Sequence, residues 1–395
     1  MPHQSTTPSA PRKGQLVSLQ YLRAAAAMMI VFTHGWDQLP WLKERLPDIF
    51  QSGVDLFFVI SGFIMVYVTA KAGSSALHFF KMRVVRIVPL YWLYTFATAA
   101  LVLALPQLFK TTEFTVPHFI QSLLFIPHWG PSGSLSPLIL LGWTLNYEMF
   151  FYATFAIAMA LSASRRVPLT IGMLLIMPIL AVFVDFTGSA AGEFYSNDIV
   201  LEFMFGMLLA PLFLNGYLDR VGVLGGATLV TAGFVGLCIG GHHLDQVRVL
   251  IFGIPAALIV AGALSIEATR RVEKAQPFLL LGDASYSIYL AHMFPSRCFA
   301  SAGTRLAYLS MVLAPLWSLW RSRFSAAPWP ASRPTFSWRS PCSTSCGASA
   351  ACRSRSCSRR ERRPAAVLFA RVGGNYARAV NARRAAARSS GDCCR

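Results

Sequence analysis

Two ionisable residues, Arg23 and His34, lie in the first apolar stretch of the chain, which reads LVSLQYLRAAAAMMIVFTHGW over residues 16–36. They are eleven residues apart, so an α-helix returns them to within about 20° of one face, about 16 Å apart along it. The cation can bind an anion, and the imidazole can act as a general base near neutral pH. The alternative is a snorkelling arginine and a boundary histidine. Ionisable groups in spanning helices usually face a bundle interior or a wet cavity, which favours the functional interpretation.

A second cationic group lies in the sequence HFFKMRVVRIVPLYW, where Arg83 and Arg86 are three residues apart. On a helix this spacing puts both side chains on one face. Paired guanidinium groups suit phosphate oxygens, because each donates several charge-assisted hydrogen bonds in a fixed plane. The alternative is an ordinary basic anchor at the membrane surface.

Carboxylates also occur in apolar stretches, where they are costly unless paired. Asp55 lies in GVDLFFVISGFIM, and Glu148 lies in GWTLNYEMFFY. If both segments are spans, both carboxylates enter the membrane from the same side as His34. The sequence therefore predicts a cluster of His34, Asp55 and Glu148, in which a carboxylate orients the histidine as a base.

The composition indicates a membrane protein. Of the 395 residues, 55% are hydrophobic and only 13% are charged, and the mean hydropathy is +0.51, which argues against a soluble domain. The formal charge of +18 resembles that of a nucleic-acid-binding protein. Residues 1–295 nevertheless carry 17 basic and 15 acidic residues, so almost all of the excess lies in residues 296–395. We therefore expect no nucleic-acid partner for the apolar part.

Apolar stretches predict an all-α, polytopic bundle of about nine to ten transmembrane helices. The nine that hydropathy delimits are residues 16–36, 53–70, 87–105, 142–161, 168–186, 197–215, 222–241, 249–266 and 277–294. A cytoplasmic N-terminus places 12 Lys and Arg residues of the first 295 in inner loops and four in outer loops. This bias is the one expected for inner loops, so residues 1–15 are predicted to be a cytoplasmic segment.

Five motifs occur in order along residues 16–294: Arg23 followed eleven residues later by His34, then GVDLFFVISGFIM, RVVRIVPLYW, GWTLNYEMFFY and LGDASYSIYLAH. With these motifs the chain resembles the membrane-bound acyltransferase-3 family, and most closely its members in exopolysaccharide production. The resemblance implies a bundle of about ten spanning helices in a bacterial inner membrane. It also implies transfer of an acetyl group from cytoplasmic acetyl-CoA to a hydroxyl of an exported polysaccharide or a lipid-linked sugar.

Site residues follow from the same resemblance. It implies that His34 is the catalytic histidine and that Arg23, Arg83 and Arg86 hold the acyl-CoA. Glu148 lies in a family motif and, with Asp55, is a further catalytic candidate. His292 is a candidate lining residue, whereas residues such as Tyr286 and Tyr289 more often serve packing than chemistry. The alternative function is a non-enzymatic polysaccharide or lipid exporter, which would not need the three arginines.

Residues 296–395 have a different composition. All 18 of their basic residues are arginine, lysine is absent, and they hold seven of the eight cysteines. Cys342, Cys346, Cys352 and Cys357 show no paired CxxC spacing and no nearby histidine, so we expect no metal site. The alternatives are a basic tail on anionic lipid and a shifted reading frame, which the composition favours. We assign no fold to this segment and restrict the predicted acyltransferase domain to residues 16–295.

The first prediction concerns this break. One of the other two reading frames just after the His292 codon should encode about twenty apolar residues, the length of one span, followed by a short polar end. Sequencing the gene and its message tests it. If neither frame does so and the message matches the chain, the frameshift hypothesis fails and the basic tail is a real feature.

Overall fold

The computed structural model describes residues 16–36, 48–70, 75–106, 109, 112–241 and 247–292. These residues form α-helices joined by short turns, and they contain no strand. In this part of the chain the α-helices are α1 (Val17–Trp36), α2 (Gly53–Thr69), α3 (Ala76–Ala104), α4 (Val116–Leu123), α5 (Gly142–Leu161), α6 (Arg166–Phe183), α7 (Ala190–Tyr195), α8 (Glu202–Leu214), α9 (Gly222–Gly240), α10 (Ile254–Thr269) and α11 (Gln276–Ala291). The predicted all-α class is confirmed for these residues.

Several of these helices are long and apolar enough to cross a membrane. With the short turns that extend them, the described residues contain five such segments: Ile49–Thr69, Ala76–Ala104, Arg166–Phe183, Leu218–Gly240 and Val249–Thr269. This finding supports a membrane protein. The count of nine to ten spans and the cytoplasmic N-terminus remain predictions.

Predicted and observed helix limits agree well for α2 and α5 but differ for α3. Residues 76–86, which the sequence analysis placed in a basic loop, form the first three turns of α3. This stretch holds neither glycine nor proline, and Pro89 follows it, so nothing in the sequence stops the helix from starting early. Arg83 and Arg86 therefore project from a helix, as their spacing required.

Helix α1 packs against α11 and α2 through small residues. Ala24, Ala26 and Ala27 are almost fully buried, and a Cβ atom on Gly282 of α11 would lie 2.4 Å from the carbonyl oxygen of Gln20. Small residues at helix contacts let backbones approach closely, which is how helices associate in membranes. The contact fixes the depth of α1 relative to α11.

A carboxylate from α10 caps the start of α1. Glu267 accepts hydrogen bonds from the backbone N–H groups of Val17, at 2.7 Å, and Ser18, at 2.9 Å. These groups have no partner within the helix, and a negative charge at a helix N-terminus is favourable. The cap ties α1 to the end of α10 and so sets the level at which Arg23 enters the bundle.

Helices α2 and α8 come into backbone contact at two glycines. A Cβ atom on Gly62 would lie 2.0 Å from the carbonyl oxygen of Phe203, and one on Gly206 would lie 1.9 Å from that of Val59. Real Cβ contacts do not occur at such distances, so neither position admits a side chain without separating the helices.

A hairpin between α3 and α5 runs alongside the second half of α3. Tyr91 donates to the carbonyl oxygen of Ser122 at 2.9 Å, and Trp92 donates to that of Leu123 at 2.9 Å. The returning segment of this loop bonds back through the Leu138 N–H, which donates to the Ser122 hydroxyl at 2.9 Å. Helix α5 therefore begins beside the middle of α3 rather than at its end.

The glycine contacts give a second prediction. Gly62→Ala and Gly206→Ala should each lower the free energy of unfolding by about 3 kcal/mol, the upper end of the cost of overpacking. Thermal unfolding of the detergent-solubilised protein, followed by size-exclusion chromatography, measures the change. Gly172→Ala in α6 is the matched control, because no atom lies within 4 Å of its added Cβ. Equal stability of all three variants would contradict the close contact.

Candidate active site

Five helices surround one cavity that encloses about 730 Å³ of empty space, counting its open mouth. Its wall combines apolar residues of α2 with polar and charged residues of α1, α2, α3, α5 and α11. The polar and charged members are Arg23, Ser61, Arg83, Arg86, Thr144, Glu148, Tyr152, Ser285, Tyr286 and Tyr289. The three arginines predicted from the sequence thus share one cavity, with a single carboxylate among them.

Arg23 is held in place by its neighbours. Its side chain is only 8% exposed, and its Nη2 donates to the hydroxyl of Ser285 on α11 at 3.0 Å. A longer contact of 3.4 Å joins its Nη1 to Gln20 one turn earlier. A buried guanidinium with these few contacts keeps donors available to an anion in the cavity.

Arg83 and Arg86 supply the cationic wall from α3. The Arg83 guanidinium lies over the ring of Phe79, 5.9 Å from its centroid. Its Nε atom is buried and has no hydrogen-bond partner among the described residues. An unsatisfied donor is costly when buried, and a bound anion would remove that cost.

Glu148 lies in the same cavity as the arginines. Its carboxylate accepts hydrogen bonds from the Ser61 hydroxyl, at 3.1 Å, and from the Tyr152 hydroxyl one turn later. The sequence analysis grouped Glu148 with His34, on the assumption that α5 begins at the membrane surface. Because α5 begins beside the middle of α3, Glu148 lies deeper, at the level of the arginines.

Asp55 takes part in a different contact. Its carboxylate is fully buried and accepts two hydrogen bonds from Arg248, Nε to Oδ1 at 3.0 Å and Nη2 to Oδ2 at 2.6 Å. Asp198 and the buried Glu202 are near enough to interact electrostatically with this pair. The pair joins the start of α2 to the turn before α10. Its cation, Arg248, is one of the four basic residues that the sequence places in outer loops.

His34 lies near the last turn of α1 and packs against His292, which follows α11. Their ring centroids are 5.3 Å apart and the ring planes differ by 27°. The sequence analysis treated His292 as a candidate lining residue but did not associate it with His34. The contact arises because α1 and α11 pack side by side over their length.

Tyr289 connects the arginine cavity with the two imidazoles. Its hydroxyl donates to the carbonyl oxygen of Leu141 at 3.0 Å and therefore accepts from the Thr144 hydroxyl at 2.6 Å. Its ring lines the cavity, and its centroid lies 6.1 Å from that of the His292 ring. Sequence reasoning treated Tyr289 as packing, and only its place three residues before His292 pointed to the site.

The chain belongs to the acyltransferase-3 family. The family model, described as an acyltransferase domain, matches residues 16–327. That range contains the cavity and both imidazoles, so the class of protein that the fold and the site define is an acyltransferase.

Relatives support the same class. The chain is 39% identical to the exopolysaccharide production protein ExoZ of Rhizobium meliloti, over 64% of this chain and 78% of that protein. It is 25% identical to the acyltransferase MdmB of Streptomyces mycarofaciens, over 73% of this chain and 80% of that protein. It is 26% identical to the O-acetyltransferase OatA of Staphylococcus aureus, over 73% of this chain and 51% of that protein. No solved structure matches the chain.

The ion pair gives a third prediction. Asp55→Asn should lower the free energy of unfolding by about 2–3 kcal/mol, below the 3–5 kcal/mol typical of a broken buried pair, because the Arg248 side chain is 25% exposed. Thermal unfolding in detergent measures it.

The double variant Asp55→Asn with Arg248→Met is the control, because it removes both charges of the pair; it should recover part of the lost stability, since Arg248 also faces Asp198 and Glu202. Recovery of folding and acyl transfer together would assign Asp55 to structure. Recovery of folding without transfer would show that Asp55 or Arg248 has a role in transfer beyond stability, and Arg248→Met alone would then tell the two apart.

Proposed function

We propose that this protein is a membrane O-acetyltransferase that moves an acetyl group from cytoplasmic acetyl-CoA to a hydroxyl of an exported polysaccharide or its lipid-linked precursor. The observation that carries the proposal is a cavity lined by Arg23, Arg83 and Arg86, with a contacting pair of imidazoles, His34 and His292, further along the helices that carry Arg23 and Ser285. Relatives named for exopolysaccharide production and for O-acetyl transfer support it. We place the protein in a bacterial inner membrane.

The cavity fits the donor. Acetyl-CoA is anionic through its phosphates, and Arg23, Arg83 and Arg86 offer charge-assisted hydrogen bonds to them. The unpartnered Nε of Arg83 is one donor that such a ligand would satisfy. Glu148 offsets part of the positive charge of the three arginines, and it accepts hydrogen bonds that orient the Tyr152 and Ser61 hydroxyls.

Depth within the membrane separates the two substrates. Arg23 lies six residues after the start of α1, which is about 9 Å, whereas His34 lies about 16 Å further along. With a cytoplasmic N-terminus, the arginines face the compartment that supplies acetyl-CoA and His34 faces the one that receives the polysaccharide. On its way from the arginines to the imidazoles, the acyl group of the donor would pass beside Tyr289.

His34 acts as the general base of the transfer. The acceptor oxygen forms a bond to the thioester carbonyl carbon, and the carbon–sulfur bond breaks. The hydroxyl proton passes to His34 and then to the departing thiolate, so the reaction consumes no further reagent. Asp55 bonds to Arg248 and contributes by holding the start of α2 in place.

The test of the proposed function compares the cell's polysaccharide in a strain without the gene and in strains carrying the native protein or His34→Ala. Mass spectrometry should find acetyl groups restored by the native protein and absent with His34→Ala at a matched protein level in the membrane. His78→Ala is the control, since His78 is exposed at the start of α3. Unchanged acetylation with less exported polymer in the strain without the gene would support the exporter.

The fourth prediction concerns the donor site. Arg83→Ala should raise the apparent KM for acetyl-CoA by about tenfold to a hundredfold, because a hydrogen bond to a charged group contributes about 1.5–3 kcal/mol. Initial rates in membrane vesicles at varied acetyl-CoA concentration measure it.

Arg271→Ala is the matched control, because Arg271 is an exposed arginine outside the cavity. Arg83→Lys should recover only part of the affinity, since an ammonium group lacks the planar fork. An unchanged KM for acetyl-CoA in Arg83→Ala would contradict the prediction and would indicate that Arg83 only anchors α3 at the membrane surface.

A further inference from the structure

A buried imidazole nitrogen lies beside His34 without a partner. His292 is only 7% exposed, and its Nε2 atom has no hydrogen-bond partner among the described residues. A buried polar atom left unsatisfied costs about 1–3 kcal/mol, so such atoms in native proteins call for an explanation, a ligand among them.

The hydrogen bond on the other side of the ring fixes its chemistry. The Nδ1 atom of His292 lies 3.2 Å from the carbonyl oxygen of Ile288. A carbonyl oxygen only accepts, so Nδ1 carries the proton, and in the neutral ring Nε2 presents a lone pair. The unsatisfied atom is therefore an acceptor, and its natural partner is an O–H or N–H donor.

The arrangement of the two imidazoles excludes one explanation. Their planes differ by only 27° at a centroid distance of 5.3 Å, and a stacked ring does not direct an N–H at its neighbour's Nε2. His292 thus neither orients His34 through this atom nor relays its proton. The Tyr289 hydroxyl is directed to Thr144 and Leu141 instead, so it does not pair with the Nε2 lone pair either.

We propose that His292 binds the acceptor: its Nε2 accepts a hydrogen bond from a hydroxyl adjacent to the one that His34 deprotonates. The inference rests on the proposed function and narrows it to a substrate class. The reacting hydroxyl has a single proton, which His34 takes, so the bond to His292 comes from another donor of the acceptor, and on a polysaccharide we assign it to a second hydroxyl. The acceptor is therefore a polyol or sugar that presents two neighbouring hydroxyls, and His292 selects which of them is acetylated.

The experiment compares His292→Leu with His292→Gln in the strain that lacks the gene. Leucine removes the acceptor atom, whereas the glutamine side-chain oxygen can accept the same hydrogen bond but cannot act as a base. We expect leucine to lower the acetyl content of the cell's polysaccharide by about two- to tenfold, which is the fold-change that corresponds to the loss of one neutral hydrogen bond. Nuclear magnetic resonance of the polysaccharide should also show acetyl groups spread over more than one hydroxyl. Glutamine should keep the native position.

Two measurements separate acceptor binding from a structural role. The apparent KM for acetyl-CoA, measured in vesicles as hydrolysis of the thioester, should be the same in the native protein and both variants. Thermal unfolding in detergent reports whether the leucine variant is folded, and His78→Gln is the matched histidine control. A leucine variant with native acetyl content and position, or a glutamine variant as inactive as leucine, overturns the inference.

Failure of the proposed function gives a different result. In that case the native protein itself restores no acetyl groups to the polysaccharide. If the native protein restores them at one position and His292→Leu restores them there equally, the function holds and the role of His292 is disproved.

Discussion

The structure depends on accommodating guanidinium groups at one cavity of an apolar helical bundle. Arg23 is buried, Arg83 is half-buried and Arg86 is exposed. A charged side chain in a spanning helix is costly unless it has partners or faces a wet cavity. Ser285 and Glu148 offset part of that cost for Arg23, and the ring of Phe79 does so for Arg83. The Arg83 Nε atom has no hydrogen-bond partner among the described residues, so an anion in the cavity would stabilise it.

Depth in the bundle decides which groups work together. The hairpin beside α3 places the start of α5 at Tyr91, in the middle of α3, and so Glu148 lies with the arginines and not with His34. Likewise, the close packing of α1 on α11 brings His34 to His292. Each pairing follows from backbone contacts made elsewhere in the helices, so a shift in helix packing would change the chemistry of the site.

Local sequence patterns predicted the helices and part of the site. Hydropathy gave α2 and α5 nearly to the residue. The three-residue spacing of Arg83 and Arg86 predicts one shared face if they lie on a helix, but hydropathy started that helix at residue 87, after both of them. The Asp55–Arg248 pair joins residues 193 positions apart, and no periodicity reports such a contact. Hydropathy also cannot show that a polar hairpin returns along α3, and that hairpin determines the depth of Glu148.

Tyr289 links the arginine cavity to the pair of imidazoles. Its ring lines the cavity, and its centroid lies 6.1 Å from that of the His292 ring at the end of the same helix. Its hydroxyl is hydrogen-bonded to Thr144 and to the carbonyl oxygen of Leu141. These bonds join α11 to the start of α5, which carries Glu148. The distance between the arginines and the imidazoles is therefore set by the packing of α11 on α1 and by these hydrogen bonds to α5, and a change at either contact would alter the site as a whole.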